Sequence, residues 1–108
     1  MKLIVAIINN DDSAVVSATL TREGFAVTKL STTGGFLMIG NTTLLIATDD
    51  DRVAVAKEII KEHSKTRNKT VLTSDSLGSG MTAGGVEKTV SVGGAAVFVL
   101  NVEDADKY

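Results

Sequence analysis

The stretch Ala6-Ile7-Ile8-Asn9-Asn10-Asp11-Asp12-Ser13-Ala14-Val15 passes from an apolar, β-branched run through a cluster of capping residues into a helical pattern. The same order returns at Leu45-Ile46-Ala47-Thr48-Asp49-Asp50-Asp51-Arg52-Val53-Ala54. Each copy reads as strand, polar or acidic cap, amphipathic helix. Each is followed by a further strand, which gives the order β-α-β-β-α-β, the split βαβ or ferredoxin-like arrangement. Its two helices share one face of the sheet, and an apolar opposite face then needs a cover. The expectation is an α+β subunit that associates with copies of itself through that sheet.

Working outward, Leu3-Ile4-Val5-Ala6-Ile7-Ile8 is apolar enough for a strand buried on both faces. After Asn9–Ser13, the residues Val15, Val16, Thr19 and Leu20 fall on one helical face, and Gly24 marks the stop. Residues 25–30 alternate as a second strand. Thr33-Gly34-Gly35-Phe36 is a turn, residues 36–41 a loop with an apolar centre, and residues 42–48 a third strand. Asp49-Asp50-Asp51 suits the N-terminus of a second helix, whose stripe is Val53, Ala56, Ile59 and Ile60. Residues 70–73 form a short strand, residues 74–85 a polar loop, and residues 86–100 a strand pattern broken by Gly93-Gly94. That glycine pair suits a tight two-residue turn, which predicts an extra C-terminal hairpin pairing residues 86–92 with 95–102.

The 108 residues bound the rest. They allow one domain, expected to span residues 1–108. A chain of this size has a small stability margin, so assembly helps it. There is no Cys and one His, which removes disulfides, thiolate chemistry and Cys-based zinc sites. The net charge of -2 argues against a grip on long nucleic acid. No apolar run approaches the roughly 20 residues of a membrane helix. Met1-Lys2 runs straight into a strand pattern, so no signal peptide is expected and the location expected is the cytoplasm.

The chemistry-bearing segment is Thr28-Lys29-Leu30-Ser31-Thr32-Thr33-Gly34-Gly35-Phe36-Leu37-Met38-Ile39-Gly40-Asn41-Thr42-Thr43. Paired glycines free backbone N–H groups to form an anion nest, with hydroxyls and an amide beside them. Phe36 offers a face on which a base can stack. The competing reading is a hairpin with glycines for geometry and Phe36 in the core. It is not a P-loop, because Gly34-Gly35 is not followed by Gly-Lys-Ser/Thr. His63 has no nucleophile beside it, and the run Asp49–Asp51 is explained by capping rather than by a metal. Ser and Thr are plentiful but lack an activating base, so no enzyme activity and no cofactor are expected.

Residues 28–37, then Gly40-Asn41-Thr42-Thr43, then Asp50-Asp51-Arg52-Val53, resemble the PII-like cyclic-di-AMP receptor family of Gram-positive bacteria. Val90-Ser91-Val92-Gly93-Gly94-Ala95-Ala96-Val97-Phe98-Val99 resembles its last signature. The resemblance implies a PII-like, ferredoxin-fold subunit in a homotrimer that binds cyclic di-AMP in the clefts between subunits. It implies loops that change order on binding and signal to an unidentified downstream protein. By matching position, Thr28 would bond an adenine, and Gly35, Phe36 and Leu37 would line the site. Asn41 would bond the ribose-phosphate part, Ala47 would lie where the ligand rests, and Phe98 beyond Gly93-Gly94 would stack, from the neighbouring subunit. Two positions, the tail and the Ser74–Gly85 stretch, which is poorer in Pro and aromatics than expected, depart from the family pattern. Ala26 stands where a basic residue is common, Ala47 stands where Gly is common, and the tail Asp104-Ala105-Asp106-Lys107-Tyr108 lacks the usual amide and Phe. A small structural or adaptor trimer that has lost or changed its nucleotide is the alternative these departures keep open.

Overall fold

In the computed structural model, residues 1–30, 40–73 and 86–108 are described. Strand β1, Lys2–Asn9, leads into helix α1, Asn10–Arg22; β2 is Ala26–Leu30 and β3 is Asn41–Thr48. A 3-10 turn, Asp50–Arg52, precedes α2, Val53–Ser64. Then come β4, Arg67–Thr73, β5, Val86–Val92, and β6, Ala95–Asn101. The main sheet has the order β2-β3-β1-β6, with every neighbouring pair antiparallel. That order is compatible with a ferredoxin-like fold.

The strands are half-buried rather than buried on both faces. Along β1, Ile4, Ala6 and Ile8 are fully buried, while Leu3, Val5 and Ile7 are only partly covered. Leu44 and Ile46 of β3 continue the buried row. The period-2 pleat puts these residues under the helices and their neighbours on the other face. Val16 and Leu20 of α1 and Ala56 and Ile60 of α2 complete the core with Phe25. Val15, expected on the core stripe, is half-exposed instead. Burying a side chain such as Ile60 or Leu20 contributes about 1.5–3 kcal/mol.

Capping divides the two repeats. Asn9 caps α1, its Oδ1 accepting from the Asp11 N–H at 2.8 Å. Before α2, Asp50 and Asp51 lie in the 3-10 turn, and Asp49 at its cap makes no side-chain capping bond. Arg52 is the residue that fixes this corner. Its guanidinium donates to the Glu23 carbonyl at 2.8 Å and lies 4.1 Å above the Phe25 ring, joining the end of α1 to the start of α2.

The C-terminal pairing differs from the expectation. No β5–β6 hairpin forms around Gly93-Gly94: β5 pairs with β4 from Arg67↔Val92 to Thr73↔Val86, and β6 pairs with β1. The strand after α2 thus leaves the main sheet, and β6 takes the fourth position beside β1. The physical reason lies at the glycine pair. Both residues have positive φ, +83° and +86°, as a tight turn requires, but the Gly94 N–H donates to the Ser64 carbonyl. The turn is pinned to the end of α2, not closed on its own ladder. The chain leaves at Ser64, runs out and back along the β4–β5 ribbon, and returns beside Ser64 to begin β6. An out-and-back insertion preserves strand direction, so the sheet keeps the split βαβ pattern.

Candidate functional site

Antiparallel partners directly opposite one another share a face, so the register defines the sheet surface away from the helices as four rows. Asn9 and Asn41 form the first row; Ala96, Ile7, Thr43 and Leu30 form the second. Phe98, Val5, Leu45 and Thr28 form the third; Leu100, Leu3, Ala47 and Ala26 form the fourth. No charged side chain stands in these rows. Any recognition here relies on hydroxyls, amides, backbone groups and apolar contact.

Four of the expected site residues, Thr28, Asn41, Ala47 and Phe98, therefore lie on one face, and all are exposed. Thr28 is on the β2 edge and Phe98 on the β6 edge of the same row. Three strand spacings separate them, roughly 14 Å. Within one subunit they cannot touch the same base. Gly35, Phe36 and Leu37 lie outside the described residues.

Gly93 and Gly94 stand at the end of the sheet where β1 and β2 finish and β3 and β6 start. The first turn of α1 is the hub of this end. The Asn10 N–H donates to the Gly40 carbonyl at 2.6 Å, and the Asn10 side-chain oxygen accepts from the Thr42 hydroxyl. Two residues on, Asp12 is buried, its side chain only 9 % exposed, and holds Arg67 through Nη2–Oδ1 at 2.8 Å and Nη1–Oδ2 at 3.3 Å. Arg67 Nη1 also donates to the Lys65 carbonyl at 3.1 Å. The hydrogen bonds to Asp12, with its negative charge, hold the Arg67 guanidinium above its ordinary pKa. A forked guanidinium on a carboxylate fixes direction as well as distance.

Gly93 sits against this pair. A Cβ there would come within 2.7 Å of both Arg67 Nη1 and the Lys65 carbonyl oxygen, and within 3.2 Å of Asp12 Oδ2. The glycine pair is therefore needed for close approach at the ribbon root. Sequence reading missed Asp12 and Arg67. Asp12 looked like one more capping residue, and Arg67 lay in a polar run, Lys65-Thr66-Arg67-Asn68-Lys69, with no apolar period to announce a strand.

A groove of about 520 Å³ lies elsewhere, between α2 and β6, lined among others by Lys57, Lys61, Thr66 and Val97. Among the described residues expected at the site, Gly94 alone borders it. Among the described residues no group of three or more His, Asp or Glu is placed to hold a metal ion. None of the described helices is long and apolar enough to cross a membrane.

A family model described as "Cyclic-di-AMP receptor" matches residues 1–108, the whole chain. Among solved structures, a protein of Pediococcus pentosaceus ATCC 25745, described as functionally unknown, matches with a TM-score of 0.76 and 37% sequence identity. That match covers 99% of this chain and 96% of the other.

Proposed function

The chain belongs to the cyclic-di-AMP receptor family, and from that premise we propose that it is a non-enzymatic cytoplasmic receptor that binds cyclic di-AMP between the subunits of a homotrimer. The observation that carries the inter-subunit part is the row Phe98–Val5–Leu45–Thr28. Thr28 and Phe98 are at opposite edges of one face, so a site using both takes Thr28 from one copy and Phe98 from another. The same face is largely apolar and uncovered in a single chain, with Phe98 55% and Leu100 47% exposed. An apolar patch of this kind marks an interaction surface.

Charge fits the ligand. A cyclic dinucleotide presents two phosphates and two stacking faces. Backbone N–H groups, Thr and Asn bind phosphate without a cluster of cations, and the four rows hold no cation. Ligand occupancy, on this reading, is passed on as a changed surface to a downstream protein.

Ala26 and Ala47 favour a second reading. They are directly paired across β2 and β3, so the two departures from the family pattern act on one spot of the face. There the common cation is missing and a Cβ is added. A trimer with a lost or changed nucleotide ligand is the reading this pair supports. Calorimetry with cyclic di-AMP, cyclic di-GMP and ATP separates the two. Binding of cyclic di-AMP below about 100 µM, roughly -5.5 kcal/mol, is the expected result. No heat with any of the three, for a protein of trimeric mass, selects the second reading.

A further inference from the structure

The first turn of α1 is gripped from two sides by residues far apart in sequence. On one side Asn10 holds Gly40 and Thr42 at the start of β3, beside Asn41. On the other, Asp12 holds Arg67 at the first position of β4, and Arg67 reaches back to the Lys65 carbonyl. Gly93, at the ribbon's return, packs against both members of that ion pair, and Gly94 closes the root on Ser64. The ribbon strands are paired chiefly with each other. A two-stranded ribbon alone is marginal in water, so its direction depends on how its root is held.

We propose that Arg67 is a positioning residue: through Asp12 it fixes the root of the β4–β5 ribbon to the same helical turn that holds the start of β3, so that the ligand-binding end and the ribbon move as one body. The inference rests on the receptor reading for its ligand, but the joint itself is a property of the ligand-free chain. Among the described contacts, the buried Asp12 carboxylate accepts its side-chain hydrogen bonds from Arg67. Arg67 has a side chain about half exposed, 49%, so the core does not depend on it. Lysine would keep the charge but lose the fork, because an ammonium is a point charge.

The test is hydrogen exchange on the full-length protein, read at β4 and β5, with and without cyclic di-AMP, alongside calorimetry. Arg67→Gln is expected to speed ribbon exchange by about tenfold or more in the ligand-free protein. It is expected to leave exchange in β1 and β3 unchanged. Cyclic di-AMP is expected to alter ribbon exchange in the wild type and to lose that effect in Arg67→Gln, with affinity kept within about threefold. Asp12→Asn should give the same uncoupling, and the double variant no more than either single one. Arg67→Lys should fall between wild type and Arg67→Gln. Should Arg67→Gln not fold, Arg67→Lys and Asp12→Asn carry the comparison. Equal ribbon exchange in wild type and variants, or an undiminished ligand response in them, overturns the joint. If the wild type binds no cyclic di-AMP, the receptor reading falls, and the ligand-free arm still decides the joint.

Discussion

Asn41 stands at the first position of β3, paired with Asn9 and one residue past the Gly40 carbonyl that Asn10 holds. Its backbone is fixed from both sides while its side chain is exposed. Such a residue offers an amide to a ligand without having to be ordered first, which favours affinity. A hydrogen bond to a charged group contributes about 1.5–3 kcal/mol. Asn41→Ala should therefore weaken cyclic di-AMP binding roughly tenfold or more, with trimer mass and melting temperature unchanged. Calorimetry beside a solution mass measurement checks this, and an unaltered affinity would place the pocket elsewhere. Asn41 and Thr28 were named through the family resemblance, and the face they share was not legible in the residues. Leu44-Leu45-Ile46-Ala47 is a continuous apolar run without parity, and only the pairing register puts residue 41 on the open side. Asp12 and Arg67 carried no mark in the sequence. They are 55 positions apart, and no periodicity encodes a contact across an inserted ribbon.

At the scale of elements, the duplicated pattern located β1, α1, β3 and α2, because an apolar run, a polar cap and a helical stripe recur in the same order. Pairing partners of the later strands were not legible. Residues 86–92 and 95–101 both look like strands, and two glycines between them satisfy a hairpin and a corner equally well. What decides is the anchor at Ser64 and Arg67, which lies outside the local window. Gly93 tests that anchor. Its positive φ alone makes alanine cost about 1–2 kcal/mol, and the Lys65 carbonyl 2.7 Å from a Cβ is backbone that cannot swing aside. Gly24 is the matched control, with φ +91° but only the Arg52 guanidinium 3.6 Å away. Gly93→Ala is expected to lower the melting temperature by several degrees more than Gly24→Ala, at about 4–8 °C per kcal/mol. Melts at one fixed protein concentration give the comparison. Equal losses would mean that the ribbon root yields freely.

On the scale of the whole molecule, the two faces of the sheet are unequally finished. One is sealed by α1 and α2 over Ile4, Ala6, Ile8, Leu44 and Ile46. The other presents Leu3, Val5, Ile7 and Leu45 at its centre, with Phe98 and Leu100 exposed along β6. In the proposed trimer, copies packed through this face would bury its apolar centre and bring one copy's Phe98 edge toward another's Thr28 edge, so that assembly and ligand site would have the same origin. Val5 is central to the face and stands on the side of β1 opposite the buried core row, which makes Val5→Asp a test of assembly more than of folding. A carboxylate buried there without a partner costs several kcal/mol, enough to disfavour association while leaving the monomer core intact. The variant is expected to keep its helical circular dichroism and to fall from three times the 11.2 kDa chain mass to the mass of one chain. It should also lose cyclic di-AMP binding, although Val5 supplies no polar group to the ligand. Retained binding by a monomeric Val5→Asp protein would show that Thr28 and Asn41 suffice within one subunit and that Phe98 is not shared between copies.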